Sequence, residues 1–307
     1  MSNHIKVFSP ATVANVACGF DILGFAVDEP GDELRVSLSA TKEVRVTSIE
    51  CEGGRIPYNA EKNTASTSVI QMLKKLGSTQ GIDIQITKKM PLGSGLGSSA
   101  ASAAGSVFAV NKLLGEPFTR KELVAFAMEG ERVACGIGHA DNVAPALLGG
   151  FVLIRSYQPL DIITIPTTLN FVCLIVKPRG ELLTSDSRKI LEDKVYLKNM
   201  VVQTGNLAGL IVGLTQNDLD LVGRSMVDVV IEPQRAPLIP SFEVIRGIAK
   251  SCGAVGSSIS GSGPSIVSIF SENSAATNAA KLISKSCDCE HIYITKVNYS
   301  GVREIDG

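Results

Sequence analysis

The chain has 307 residues, with 29 Lys and Arg against 30 Asp and Glu and a formal net charge of −1. So balanced a chain lacks the clustered cationic surface that counterion release on nucleic acid requires, which speaks against a nucleic-acid partner. At 45% hydrophobic and 19% charged residues it is an ordinary globular sequence, long enough to bury roughly 75% of its unfolded surface as one large domain or two of about 150 residues.

The first third reads as strand-rich. Residues 33–39 and 42–48 alternate polar and apolar side chains, and Ile82, Ile84 and Ile86 mark one face of a third strand. Strands placed before helices in this way predict an α+β layer structure. After Met90-Pro91 the period lengthens: the Ala-rich run 100–114 carries Val107, Val110, Leu113 and Leu114 at helical spacing and stops at Gly115. A second helix is predicted over 119–132, with Thr119 as N-cap, Glu122 as its capping-box partner, and Leu123, Phe126 and Ala127 as the apolar stripe. A strand over 150–155 follows. Pro159 and Pro166 then interrupt both periods, which places a domain junction within 156–169. The remainder predicts a strand over 171–176, helices over 185–191, 197–216 and 219–226, a strand-turn-strand over 257–270, a helix over 274–286 and a strand over 290–296.

Seven cysteines, an odd set without a Cys-x-x-Cys pair, read as reduced and mostly buried thiols. The opening residues show no basic-then-apolar leader. The longest apolar run, 171–176, falls far short of the ~20 residues that a membrane span needs. A soluble cytoplasmic protein without a membrane partner is expected.

The strongest local signal is Pro91-Leu92-Gly93-Ser94-Gly95-Leu96-Gly97-Ser98-Ser99-Ala100-Ala101, set between the third strand and the helix that starts near Ser98 or Ser99. Three glycines let the backbone turn tightly and expose successive N–H groups. The helix behind them adds unpaired amides and the positive end of its dipole, so a polyphosphate placed there would accept several hydrogen bonds. No Lys follows the last glycine, as a Walker A loop requires, and the alternating glycines do not fit a dinucleotide fingerprint inside a βαβ unit.

This run resembles the central ATP-binding motif of the GHMP kinases, Pro-x-x-x-Gly-Leu-Gly-Ser-Ser-Ala-Ala. Two further segments match in order: Ser9-Pro-Ala-Thr-Val-Ala-Asn-Val-Ala-Cys-Gly-Phe-Asp21 and Gly253-Ala-Val-Gly-Ser-Ser-Ile-Ser-Gly-Ser-Gly-Pro264. Within that superfamily, residues 10–21, His139-Ala-Asp-Asn-Val-Ala-Pro145 with Gly149-Gly150, and Glu232-Pro-Gln-Arg235 most resemble the homoserine kinase family, and the likeness runs essentially the whole length. It implies an α+β, two-domain GHMP kinase fold: a ribosomal protein S5 domain 2-like ATP-binding domain over 1–163 and a ferredoxin-like domain over 164–307. It also implies ATP and Mg²⁺ as cofactors and phosphorylation of L-homoserine to O-phospho-L-homoserine in threonine biosynthesis. Another small-molecule kinase of the superfamily and a non-catalytic ligand sensor of the same fold are the alternatives. A homodimer is the one macromolecular assembly left open.

The resemblance also assigns roles. Arg188 and Arg235 match carboxylate-binding arginines, a task suited to the guanidinium fork. Asp21 would pair with the substrate ammonium, and Asn15 with its hydroxyl or ammonium, although read alone either residue is more often a loop cap. His139 would line the substrate pocket. Ser98 and Glu131 match metal contacts, with spacing to His139 favouring Glu131 over Glu129. Asn63 would contact the nucleoside. Asn142 stands where many GHMP kinases carry a catalytic Asp, so alignment of the reactants would supply most of the acceleration, with Asp141 as the other candidate base.

Overall fold

The structure is a computed structural model that describes residues 3–51, 56–136 and 138–306, apart from the side chains at 134, 135 and 185. Two sheets organise the chain. In the first, β1 (His4–Ala14) pairs antiparallel with β2 (Leu23–Ser39). β2 is long enough to serve two further neighbours: its residues 33–39 pair with β4 (Gly81–Thr87) and its residues 23–25 with β5 (Phe151–Tyr157). β3 (Val44–Glu50) runs parallel to β4, joined to it by α1 (Thr64–Leu76), and β6 (Leu160–Ile165) extends β5.

α2 (Ser98–Leu113) packs on β1 and β2 beneath α1, α3 (Arg120–Cys135) and α4 (Ala140–Leu148). Its Ala, Ser and Gly side chains permit that close burial; a Cβ on Gly105 would stand 2.6 Å from Leu34. The predicted capping box at the start of α3 is present in both directions between Thr119 and Glu122.

The second sheet holds β7 (Val172–Pro178), β8 (Gly256–Ile259), β9 (Ile266–Phe270) and β10 (Cys289–Thr295) in the antiparallel order β10-β7-β9-β8. Counted along the chain this is the 4-1-3-2 order of a ferredoxin-like sheet. Both faces of β7 are buried, as the period of two predicts. Val172, Leu174 and Val176 face α9 (Phe242–Ser251) and α10 (Asn273–Ser286), while Cys173 and Ile175 join the core shared with the first sheet. That shared core is built on Phe25 stacked on Phe151 at 4.7 Å, with Phe171 edge-on to Phe25. Between β7 and β8 run α5 (Thr184–Lys189), α6 (Leu197–Gln216), α7 (Leu219–Ser225) and α8 (Glu232–Arg235). β11 (Arg303–Glu304) returns to border β1.

The elements β1, α1, α4 and β6, and also α8, α9 and β11, lie outside those that periodicity predicts. β1 carries Pro10 at a register shift, and the nine-residue α4 contains Pro145, so each pattern is interrupted by a residue that removes a donor. α1 opens on a polar Thr-Ser turn that is nonetheless buried, and β6 lies between the two prolines that suggest a junction. Because β6 carries first-sheet pairing across positions 163 and 164, we propose that the halves divide at 166–171, with β11 belonging to the first. Of the cysteines, Cys18 and Cys173 are buried, but Cys252, Cys287 and Cys289 are only half-buried, since they sit at the outer ends of elements in the second half.

Candidate active site

Gly93, Gly95 and Gly97 all adopt the left-handed backbone, with φ of +61°, +77° and +67°. This turns the loop's carbonyls toward the rest of the protein. Ser265 N–H donates to the Ser94 carbonyl at 3.2 Å, the Ser260 hydroxyl to Gly95 at 2.8 Å, and Thr12 N–H to Leu96 at 3.1 Å. The N–H groups of residues 93–100 meet no protein acceptor among the described residues. With its carbonyls anchored and its amides free at the start of a 16-residue helix, the loop is built to hold an anion.

Beside it lie buried polar atoms without a hydrogen-bond partner among the described residues: Ser98 Oγ, Glu131 Oε1, His139 Nε2 and Asp141 Oδ1. Burial pushes the Glu131 carboxyl up to about 7, against a hydrogen bond from Ser99 and the charge of Lys88. No group of three or more His, Cys, Asp or Glu is arranged for a metal among the described residues. Ser98 Oγ and Glu131 Oε1, buried and unpartnered among the described residues, are oxygens that would suit a Mg²⁺ drawing its remaining ligands from phosphate and water.

Asp141 is raised to about 7 by burial first, then by Asp21 and Glu131. The stability that its protonated form contributes is complete below the unfolded value of 3.8 and is lost as pH rises toward 7. Asp141→Asn is thus expected to match the parent at pH 4 and exceed it at pH 8 by on the order of 2–4 kcal/mol, read by denaturant melts at both pH values.

The charged end of the site is assembled from distant segments. Asn15, Val16, Ala17 and Asp21 all have positive φ, a costly turn for non-glycine residues that is held by the Asn15 side chain. Asn15 Oδ1 accepts from Asp21 N–H and its Nδ2 donates to the Gly261 carbonyl. Arg188 Nη2 donates to both Asp21 oxygens at 2.8 and 3.0 Å. Arg235 is buried and donates to the Gly261 carbonyl at 3.0 Å, and both guanidinium groups stand over the Phe20 ring at 5.4 and 5.2 Å. Burial lowers the His139 pKa below the ordinary imidazole value, and both arginines reinforce this against Asp21, so the ring is neutral near pH 7.

One cavity of about 480 Å³ collects these groups. Asn15, Asp21, Asn63, Ser98, Ser99, Glu131, His139, Asn142, Arg188 and Arg235 line it, as do Leu92, Gly93, Ser94, Gly95 and Gly97. Pro91 is not part of the lining, and Leu96, Ala100 and Ala101 are buried in the core, so these four shape the loop rather than the wall. Asn63 is spent locally as the α1 N-cap: its Oδ1 accepts from Ala65 N–H and its Nδ2 donates to the Pro57 carbonyl, which leaves little of it for a nucleoside. Asn142 Oδ1 accepts the Thr12 hydroxyl at 2.7 Å.

Thr12, Phe20 and Lys88 are the residues that sequence reasoning missed. Lys88 is buried, ion-paired with Asp32, and donates to the Ser98 carbonyl at 2.6 Å and to Ser102 Oγ at 3.1 Å. Asp32 in turn accepts from Lys89 N–H and Met90 N–H, which clamps the entry to the glycine loop. Lys88 lies three residues before Pro91, on the other side of the glycines from a Walker A lysine.

Free amides at a helix start, a hydroxyl and carboxylate suited to Mg²⁺, and a charge-paired pocket in the same cavity define a kinase of small molecules. Comparison with known proteins agrees. The GHMP kinase N-terminal domain model matches residues 63–150 and the C-terminal model residues 210–288. A homoserine kinase of Chlorobium phaeobacteroides is 50% identical over 282 residues, 89% of this chain and 88% of its own. The crystal structure of homoserine kinase from Cytophaga hutchinsonii is 51% identical, covers 99% of this chain and 98% of its own, and superposes with a TM-score of 0.95. L. major mevalonate kinase, at 17% identity and a TM-score of 0.74 over 96% of each chain, shares the fold. The chain belongs to the GHMP kinases, in their homoserine kinase family, and ATP is the phosphoryl donor that this family uses.

Proposed function

We infer that the chain transfers the γ-phosphoryl group of ATP to the side-chain hydroxyl of L-homoserine, giving O-phospho-L-homoserine for threonine synthesis. The observation that carries this reading is that Asp21, Arg188 and Arg235 share one cavity with residues 93–95 and 97–99, whose amides meet no acceptor among the described residues. The amides hold the triphosphate. Ser98 and Glu131 hold Mg²⁺, which neutralises charge on the transferring phosphates when bound. The substrate zwitterion replaces an internal pair: its ammonium takes the Asp21 carboxylate and its carboxylate takes Arg188 and Arg235. His139, neutral and with Nε2 unpartnered among the described residues, and Asn15 direct the hydroxyl. Asn142, tied to Thr12, sits in the place of the superfamily's base and aligns rather than deprotonates.

A coupled ADP-release assay with L-homoserine, L-serine, L-threonine, mevalonate and galactose tests the reading. Turnover restricted to L-homoserine is expected. A preference for another alcohol would assign a different kinase activity, and Mg-ATP binding without ADP release on any of them would assign a sensor. The same assay separates the two candidate proton acceptors. Asp141→Asn is expected to keep kcat within about tenfold, whereas a loss of roughly 10²- to 10⁴-fold would make Asp141 the general base.

A further inference from the structure

The N-cap of α4 is His139, and its side chain makes no capping bond to the first turn. Ser, Thr, Asp and Asn are the ordinary caps, because their oxygens take up amides that a helix start leaves without partners. The imidazole instead faces the cavity, where Nδ1 stands 3.8 Å from Asp21 Oδ1. The first amide of the helix, Ala140 N–H, donates to the Tyr157 hydroxyl at 3.3 Å. That hydroxyl in turn donates to the Asp21 carbonyl at 2.7 Å. Asp21 has φ +60° and closes the strained turn that starts at Asn15, and such backbone persists only where its surroundings hold it. One phenol therefore joins the turn that presents the Asp21 carboxylate to the helix that follows His139 and carries Asn142.

We propose that Tyr157 is a positioning residue for the alcohol substrate: its hydroxyl caps α4, which leaves His139 free to face that substrate, and pins the Asp21 carbonyl, which sets the carboxylate beside the imidazole. The proposal rests on the reading of Asp21 and His139 as groups that bind L-homoserine. Tyr157 does not line the cavity, so it acts through these two residues and touches neither substrate. β5 delivers it to this place. Leu153 pairs with Leu23, and Ile154 N–H donates to the Ile22 carbonyl at 2.7 Å, so the strand runs alongside the end of the turn. From the other side α4 lies directly on β2, where a Cβ on Gly24 would stand 1.9 Å from the Asp141 carbonyl oxygen. That contact holds the helix against the strand, and the phenol ties its first amide to the turn. Burial first, and then Asp141, hold the phenol above its ordinary pKa, so it stays protonated and able to donate at neutral pH.

Tyr157→Phe keeps the ring, which packs against the core of the first sheet, and removes only the hydroxyl. In steady-state assays it is expected to raise the KM for L-homoserine about tenfold, the scale of one hydrogen bond, and to leave the KM for ATP within about twofold. Loss of folded protein lowers the apparent kcat but leaves a KM where it was, so this split separates positioning from stability. Ile162→Val, a core truncation on β6 away from the cavity, is the stability control and is expected to change neither KM. An unchanged KM for L-homoserine in Tyr157→Phe, an equal rise in its KM for ATP, or the same rise in Ile162→Val would each overturn the proposal. The wild-type chain's choice of alcohol tests the proposed function. The ratio of variant to wild type, for whichever alcohol is turned over, tests Tyr157.

Discussion

Arg235→Ala is expected to lower kcat/KM for L-homoserine by roughly two to three orders of magnitude while leaving the KM for ATP nearly unchanged. Arg235 is 2% exposed, and burial and then Arg188 pull its pKa below the ordinary arginine value. A cation held this way gains most from a carboxylate brought into the same desolvated space. Truncating one partner of a buried, hydrogen-bonded charge pair costs about 2–5 kcal/mol, and each 1.36 kcal/mol is tenfold. Arg235→Lys keeps the charge but loses the fork that bonds the Gly261 and Ser187 carbonyls, so partial recovery is expected. Full activity of the alanine variant on L-homoserine in steady-state assays would refute the assignment of this pocket to an amino acid.

Gly95→Ala is expected to remove ATP binding and to destabilise the fold by about 2–5 kcal/mol, from left-handed strain and overpacking together. The new Cβ would stand 2.5 Å from the Ser260 carbonyl oxygen and 2.7 Å from that of Gly263. Both obstacles are backbone, in a turn joined to the glycine loop by Ser265 N–H and the Ser260 hydroxyl, so neither moves cheaply. At φ +77° the alanine is strained even before the clash. Gly115→Ala is the control: it has φ +81° but open space around it, so it carries the strain alone. Equal melting temperatures and equal ATP affinities for the two variants would show that close approach at Gly95 is unimportant.

What the chain determined by itself is local. The bounds of α6 at Leu197–Gln216, the Thr119–Glu122 capping box, the strand-turn-strand through residue 264 and the left-handed glycine loop follow from side chains within a few positions of one another. Such features depend on backbone propensity and nearest neighbours, which a linear reading contains. What only the tertiary structure decided is which groups meet. Phe20 lies between Arg188 and Arg235, Lys88 pairs with Asp32 beneath the start of α2, and Thr12 holds Asn142, all across dozens to hundreds of residues. It also formed α4 through Pro145, because burial overrules local pattern where the buried area gained exceeds the local cost.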